Sequence, residues 1–207
     1  MKKLLMASFL MLGAAAFAPV LTYAQDEVHE SIGIGTAIPR AHTELRTANK
    51  GNTTLAAQKG KNGLLVVFSC NTCPYVLKML DRTKSIIAYA QKNNIGVIVI
   101  NSNEAQRDDA DSYDAMKKFA AANYKVPYAV DNNTDVADAF GASRTPEFFL
   151  FGKDEKLSYK GTIDDSPQDA GKVKDQYLKN AIDAQVKGKA IAVASTKSIG
   201  CSIKRKS

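Results

Sequence analysis

The sequence predicts an α/β fold: a central mixed sheet flanked by helices, with an N-terminal extension and an irregular C-terminal tail. Three observations carry the prediction. The apolar run 64–69 ends at Cys70-Asn71-Thr72-Cys73-Pro74, where a helical pattern begins at once. A second apolar run, Gly96-Val97-Ile98-Val99-Ile100-Asn101, follows that helix. Residues 147–151 and 156–160, separated by Gly152-Lys153-Asp154-Glu155, then form a hairpin before a last helical pattern. Continuous apolar runs suit strands covered on both faces, and strand–helix–strand implies a right-handed crossover.

The chain opens as a secretory signal. Lys2 and Lys3 form a positive start, residues 4–17 an apolar stretch, and Thr22-Tyr23-Ala24 a small-x-small cleavage site. The stretch is short for a membrane span and Pro19 breaks its end, so no stable span is expected after cleavage. Removing residues 1–24 leaves 183 residues and, with the two lysines gone, takes the formal charge from +7 to +5. That length supports one domain with a substantial core. The charge lacks the dense basic stripe of a nucleic-acid binder.

Residues 25–59 form the extension. They are polar and weakly periodic, with a possible strand over 41–46, and are expected to pair onto a sheet edge. The domain itself is expected over 60–188. Val76, Leu80, Ile87 and Ala90 recur at helical spacing, and Pro74 falls in the first turn, where its missing N–H costs least. Asn93, Asn94 and Gly96 end that helix. Ser112 caps a helix bearing Tyr113, Met116, Phe119 and Ala120. A short strand over 126–130, a brief helix over 134–140 ending at Gly141, the hairpin, and a helix bearing Val173, Tyr177, Ala181 and Ile182 complete the domain. The tail, 189–207, has no apolar periodicity.

Three cysteines form neither a disulfide framework nor a zinc set, and no other metal site is expected. A bridge between Cys70 and Cys73 would close too small a loop to be a useful staple, so chemistry explains the pair better. At a helix start the free N–H groups and the macrodipole favour the thiolate, the form that attacks disulfides. Cys201 is left over. It can be a buried free thiol in a docked tail, a third redox thiol exchanging with Cys70 or Cys73, or a link between chains.

Five stretches carry a family resemblance: residues 67–76 around the cysteines, Ile100-Asn101-Ser102-Asn103, residues 139–150 including Arg144-Thr145-Pro146-Glu147, Tyr159-Lys160-Gly161-Thr162-Ile163-Asp164-Asp165, and Gly200-Cys201-Ser202-Ile203-Lys204. On these the chain resembles exported redoxins of the thioredoxin-like superfamily, in the branch of alkyl hydroperoxide reductase and thiol-specific antioxidant (AhpC/TSA) proteins. The resemblance implies a thioredoxin-like fold and a thiol–disulfide oxidoreductase. Cys70 would be the solvent-facing cysteine that attacks a partner's disulfide, and Cys73 the buried one that resolves the mixed disulfide. Pro146 would be cis, with Thr145 presenting backbone groups to a substrate chain. No cofactor is implied; the partners are protein thiols or disulfides and a further redox protein. The setting would be exported, the periplasm or exterior of a bacterium. Two features depart from the family: there is no Trp, and the strand 64–68 lacks a buried acid, leaving Glu104, Asp111 or Asp164 as candidate substitutes.

Other readings compete. A peroxiredoxin-like thiol peroxidase would need Thr three residues before its cysteine, where Val67 and Cys70 stand instead, and an Arg such as Arg144. A copper carrier would need a downstream His, but His29 and His42 both precede the cysteines. A non-enzymatic secreted interaction domain would leave Cys70 inert.

Overall fold

The computed structural model describes residues 30–206; the signal-like segment lies outside the described residues. A four-residue helix α1 (Leu55–Gln58), capped by Thr54, leads to strand β1 (Leu64–Phe68). Then come α2 (Pro74–Lys92), β2 (Gly96–Asn101), α3 (Tyr113–Asn123), β3 (Tyr128–Val130), α4 (Asp135–Phe140), β4 (Arg144–Thr145), β5 (Glu147–Phe151), β6 (Leu157–Gly161), α5 (Tyr177–Val186) and β7 (Cys201–Ser202). The main sheet runs β3-β2-β1-β5-β6. β1 and β2 pair in parallel, as do β2 and β3, while β5 and β6 are antiparallel additions. This is the mixed sheet expected from the sequence.

β1 is buried along its whole length because both faces are covered. Leu65 and Val67 face Met79, Ile87 and Leu178 from α2 and α5, and Leu64, Val66 and Phe68 face the layer of Val136 and Phe140. The second layer is aromatic at its centre: Phe68, Phe140 and Phe149 meet edge to face, with centroids 5.2–5.6 Å apart. Aromatic rings prefer this geometry because their positive edges meet negative faces. α2 turns Val76, Met79, Thr83, Ile86, Ile87 and Ala90 inward at the predicted spacing.

The extension does reach the sheet edge, but not as a strand. Within 41–46 only a turn at 41–42 and an isolated bridge from Leu45 to Thr53 form, and the pairing to the sheet is an isolated bridge between Thr47 and Ala129 at the β3 edge. Ala48 N donates to Tyr128 O and Val130 N to Arg46 O. The opposite edge, β6, is covered by residues 35–38 near Leu157 and by the tail near Lys160, so neither edge is left as an open template. The last helix is shorter than expected. Val173 lies in a loop, where Lys174 N donates to the Asp165 carboxylate, and the helix starts at Tyr177.

The tail departs most from the sequence reading. Ala194, Thr196, Ser198 and Gly200 alternate with more exposed neighbours, the period-two pattern of an extended strand. Lys160 N donates to Ala194 O and Thr196 N to Lys160 O. The Thr196 hydroxyl accepts from Thr162 N at 3.0 Å and meets Tyr159 Oη at 3.0 Å. A Cβ on Gly161 would stand 2.1 Å from Thr196 Oγ1, and its φ of +133° is one that side chains rarely allow. Glycine there lets the tail lie against the sheet.

Candidate active site

The cysteine turn follows β1 directly. Ser69 N donates to Ile100 O, extending the β1–β2 ladder by one residue. Asn71 then fixes the turn: its backbone N–H donates to Asp111 Oδ1 at 2.9 Å, its side-chain Nδ2 donates to Ala110 O, and its side-chain Oδ1 accepts from Tyr128 Oη at 2.9 Å. Cys73 is the N-cap of α2, with Pro74 at the first helical position.

Opposite the turn, the Thr145–Pro146 peptide is cis. Its threonine touches both sulfurs of the pair. Cys70 Sγ lies 3.4 Å from Thr145 Oγ1, and Cys73 Sγ lies 3.3 Å from Thr145 O. Glu147 shapes this loop: one carboxylate oxygen accepts from Ser143 N and Arg144 N, and the other from the Ser198 hydroxyl of the tail.

Two sequence expectations are corrected here. Cys70, expected to face solvent, is 1% exposed, because the turn is tied inward through Asn71 and Cys70 clusters with Cys73 and Val76, with Phe119 and Cys201 packed against them. The disulfide joins Cys73 to Cys201, with Cα atoms 6.1 Å apart, and Cys70 is the free thiol. Cys201 is therefore neither a free thiol nor a link between chains in this structure. It is brought to Cys73 by β7, which pairs antiparallel with β4: Thr145 stands opposite Cys201 and Arg144 opposite Ser202. Since a disulfide sulfur carries no hydrogen, the contact from Cys73 to Thr145 O becomes a hydrogen bond only on reduction.

Burial pushes the Cys70 thiol above its ordinary value of 9.0; the Thr145 hydroxyl opposes this and the Asp111 charge adds to it. Of the three candidate acids, Asp111 is the one at the site. It is fully buried and accepts from Asn71 N, Asn101 Nδ2 and Asn103 Nδ2 at 2.7–2.9 Å. Glu104 pairs with Arg107, and Asp164 with Arg82. Behind the cysteines, Phe119, Tyr124 and Tyr128 pack together with centroids 5.3–6.2 Å apart. Burial pushes Tyr124 up to about 12, so this wall stays neutral. Sequence reading did not identify Asn101, Asn103, Tyr124 or Tyr128 as site residues. Only the Ile100-Asn101-Ser102-Asn103 resemblance hinted at two of them.

Val67 is buried in the core, and the Arg144 guanidinium donates to Ser202 Oγ at the surface. His42 is exposed, and among the described residues no cluster of three or more His, Cys, Asp or Glu side chains could hold a metal.

The Redoxin family model matches residues 34–177. The chain belongs to the Redoxin family. A hypothetical protein from Sinorhizobium meliloti 1021 is 34% identical, covering 86% of this chain and 97% of its own, with a TM-score of 0.77. A secreted Mycobacterium tuberculosis disulfide oxidoreductase homologous to Escherichia coli DsbE is 14% identical over 70% of this chain and 97% of its own, TM-score 0.53. A PrxQ mutant from Xylella fastidiosa is 15% identical over 63% of this chain and 86% of its own, TM-score 0.52. The last two share the fold, which is thioredoxin-like. No functionally curated protein matches the sequence.

Proposed function

We propose that this Redoxin-family protein is a thiol–disulfide oxidoreductase acting through Cys70 and Cys73, with Cys201 as a third redox thiol. The observation that carries the reading is a free Cys70 thiol packed with a Cys73–Cys201 disulfide beside a cis proline. Three cysteines with one disulfide can exchange it. The Cys70 thiolate attacks Cys73 Sγ, a Cys70–Cys73 bond forms, and Cys201 leaves as a thiolate that takes up a proton. No net oxidant is consumed. Thr145 and Pro146 form the edge that would receive a partner chain, the β-augmentation mode of peptide recognition. The partners are protein thiols or disulfides, and no organic cofactor enters the step.

The setting we propose is exported, periplasmic or extracellular. It rests on Lys2, Lys3, the apolar stretch 4–17 and the site before Gln25. No helix among the described residues is long and apolar enough to cross a membrane.

The test mixes reduced full-length protein with oxidised glutathione or with hydrogen peroxide, quenches with acid, and maps the disulfides. The reading expects a glutathione mixed disulfide that resolves into an internal bond. Oxidation by peroxide alone, with glutathione inert, would establish the peroxidase reading in its place.

A further inference from the structure

The tail has the marks of a bound peptide. Cys201 stands in register with Thr145, and from there its sulfur reaches Cys73, the α2 N-cap. Cys201 and Ile203 turn inward while Ser202 and Lys204 turn out, as in any strand laid along an edge. The fit on either side of the sulfur is specific. A Cβ on Gly200 would stand 2.2 Å from Thr145 O and 2.7 Å from its carbonyl carbon, a collision with backbone that no side-chain rotation relieves. Ile203 is 5% exposed, in the same apolar cluster as Phe140 and Ala142, and its N–H donates to Ser143 O.

We propose that Gly200–Ile203 occupies this protein's own partner groove. The partner is then an extended polypeptide segment with glycine immediately before its cysteine and an aliphatic residue two positions after. During exchange that cysteine joins Cys73, and Cys70 resolves. The roles are the reverse of those that the resemblance implies. This deepens the oxidoreductase reading and rests on it.

The chemistry balances without an added reagent. With the chain reduced, the Cys73 thiolate attacks the partner's cysteine sulfur, and the partner's second sulfur leaves as a thiolate. Cys70 then attacks Cys73 Sγ and the partner's cysteine leaves in turn. Two electrons pass to the partner, and the chain is left with a Cys70–Cys73 bond. Cys201 can displace Cys70 from that bond, which re-forms the latched state seen here. Cys73 is the sulfur that a chain paired to Thr145 reaches, while burial raises the Cys70 thiol against the lowering effect of the Thr145 hydroxyl and the Cys73 and Thr72 N–H groups.

Two experiments on the full chain test this. First, reduced wild-type protein is briefly alkylated and mapped: Cys73 should react about tenfold or more faster than Cys70, and equal or reversed rates overturn the assignment. Second, Cys70→Ser/Cys201→Ser protein is mixed with the peptide Ser-Ile-Gly-Cys-Ser-Ile-Lys, its thiol activated as a thiopyridyl disulfide. Replacing its glycine with valine should slow adduct formation about tenfold, and so should replacing the isoleucine after its cysteine with serine. Equal rates for all three peptides overturn the groove. Both readouts are stoichiometric. If glutathione exchange proceeds but the peptides react alike, the groove falls alone; if the peptides are discriminated but glutathione is inert, the oxidoreductase reading falls alone.

Discussion

Replacing Cys201 with serine removes a bond between residues 128 apart in sequence, and the structure sets the size of the effect. Chain-entropy closure of a loop that long restricts the unfolded state by about 5 kcal/mol, against about 2–4 kcal/mol commonly delivered by natural disulfides. With a urea dependence of about 2 kcal/mol/M, the unfolding midpoint should fall by about 1–2 M. The assay is equilibrium urea unfolding of oxidised full-length protein, followed by circular dichroism. Cys73→Ser should match Cys201→Ser, because either one opens the same loop. Cys70→Ser leaves that loop closed and should cost only about 1 kcal/mol, the common scale for a single buried substitution. Should Cys70→Ser prove as damaging as the other two, or Cys201→Ser leave the midpoint unmoved, the Cys73–Cys201 bond is not what holds the oxidised chain.

Gly200→Val places a side chain against Thr145 backbone, at a cost of about 1–3 kcal/mol for overpacking. The ratio of Cys73–Cys201 to Cys70–Cys73 bonds, read by mass spectrometry after oxidation, should fall about tenfold or more. Asp111→Asn removes a charge that raises the Cys70 thiol, so alkylation of Cys70 should begin at lower pH in the variant. It also leaves a buried donor unmatched, lowering stability by about 1–3 kcal/mol in urea unfolding. In the wild type, Cys70 is pushed up by burial, so the folded state holds its proton beyond pH 9.0. The stability this contributes is present below the unfolded thiol value and is lost as pH rises through the folded one. The reduced chain should therefore lose stability above about pH 9 more steeply than Cys70→Ser does.

The sheet was legible because its strands are continuous apolar runs: 64–68 and 96–101 need both faces covered and have no other good use. The helix after Cys73 was legible from its spacing, and the cis proline from resemblance alone, since a Thr-Pro dipeptide by itself favours trans. The tail was not legible. Its inward residues are Ala194, Thr196, Ser198 and Gly200, chosen for small size and hydrogen bonding, so no apolar alternation marks the strand. The same feature left the partner of Cys201 open among the alternatives, because only the course of the tail brings it to Cys73. The buried polar web around Asp111 was equally silent. Asn101, Asn103 and Tyr128 act through partners 8 to 27 residues away, across loops whose course residue type alone does not announce. The missing Trp is a case in point: the aromatic wall comes from α3 and β3 instead.

The most direct test is to equilibrate the full-length wild-type protein against graded ratios of reduced to oxidised glutathione at two pH values, and to map all three cysteines at each. A single movable disulfide predicts one two-electron transition. Cys73–Cys201 should be the main bond in oxidised molecules, and a Cys70–Cys73 fraction should grow as pH rises, because alkaline pH disfavours the arrangement that leaves the raised Cys70 thiol free and protonated. A Cys70 that remains unbonded at every poise and pH, or a chain that forms no disulfide at all, would contradict it.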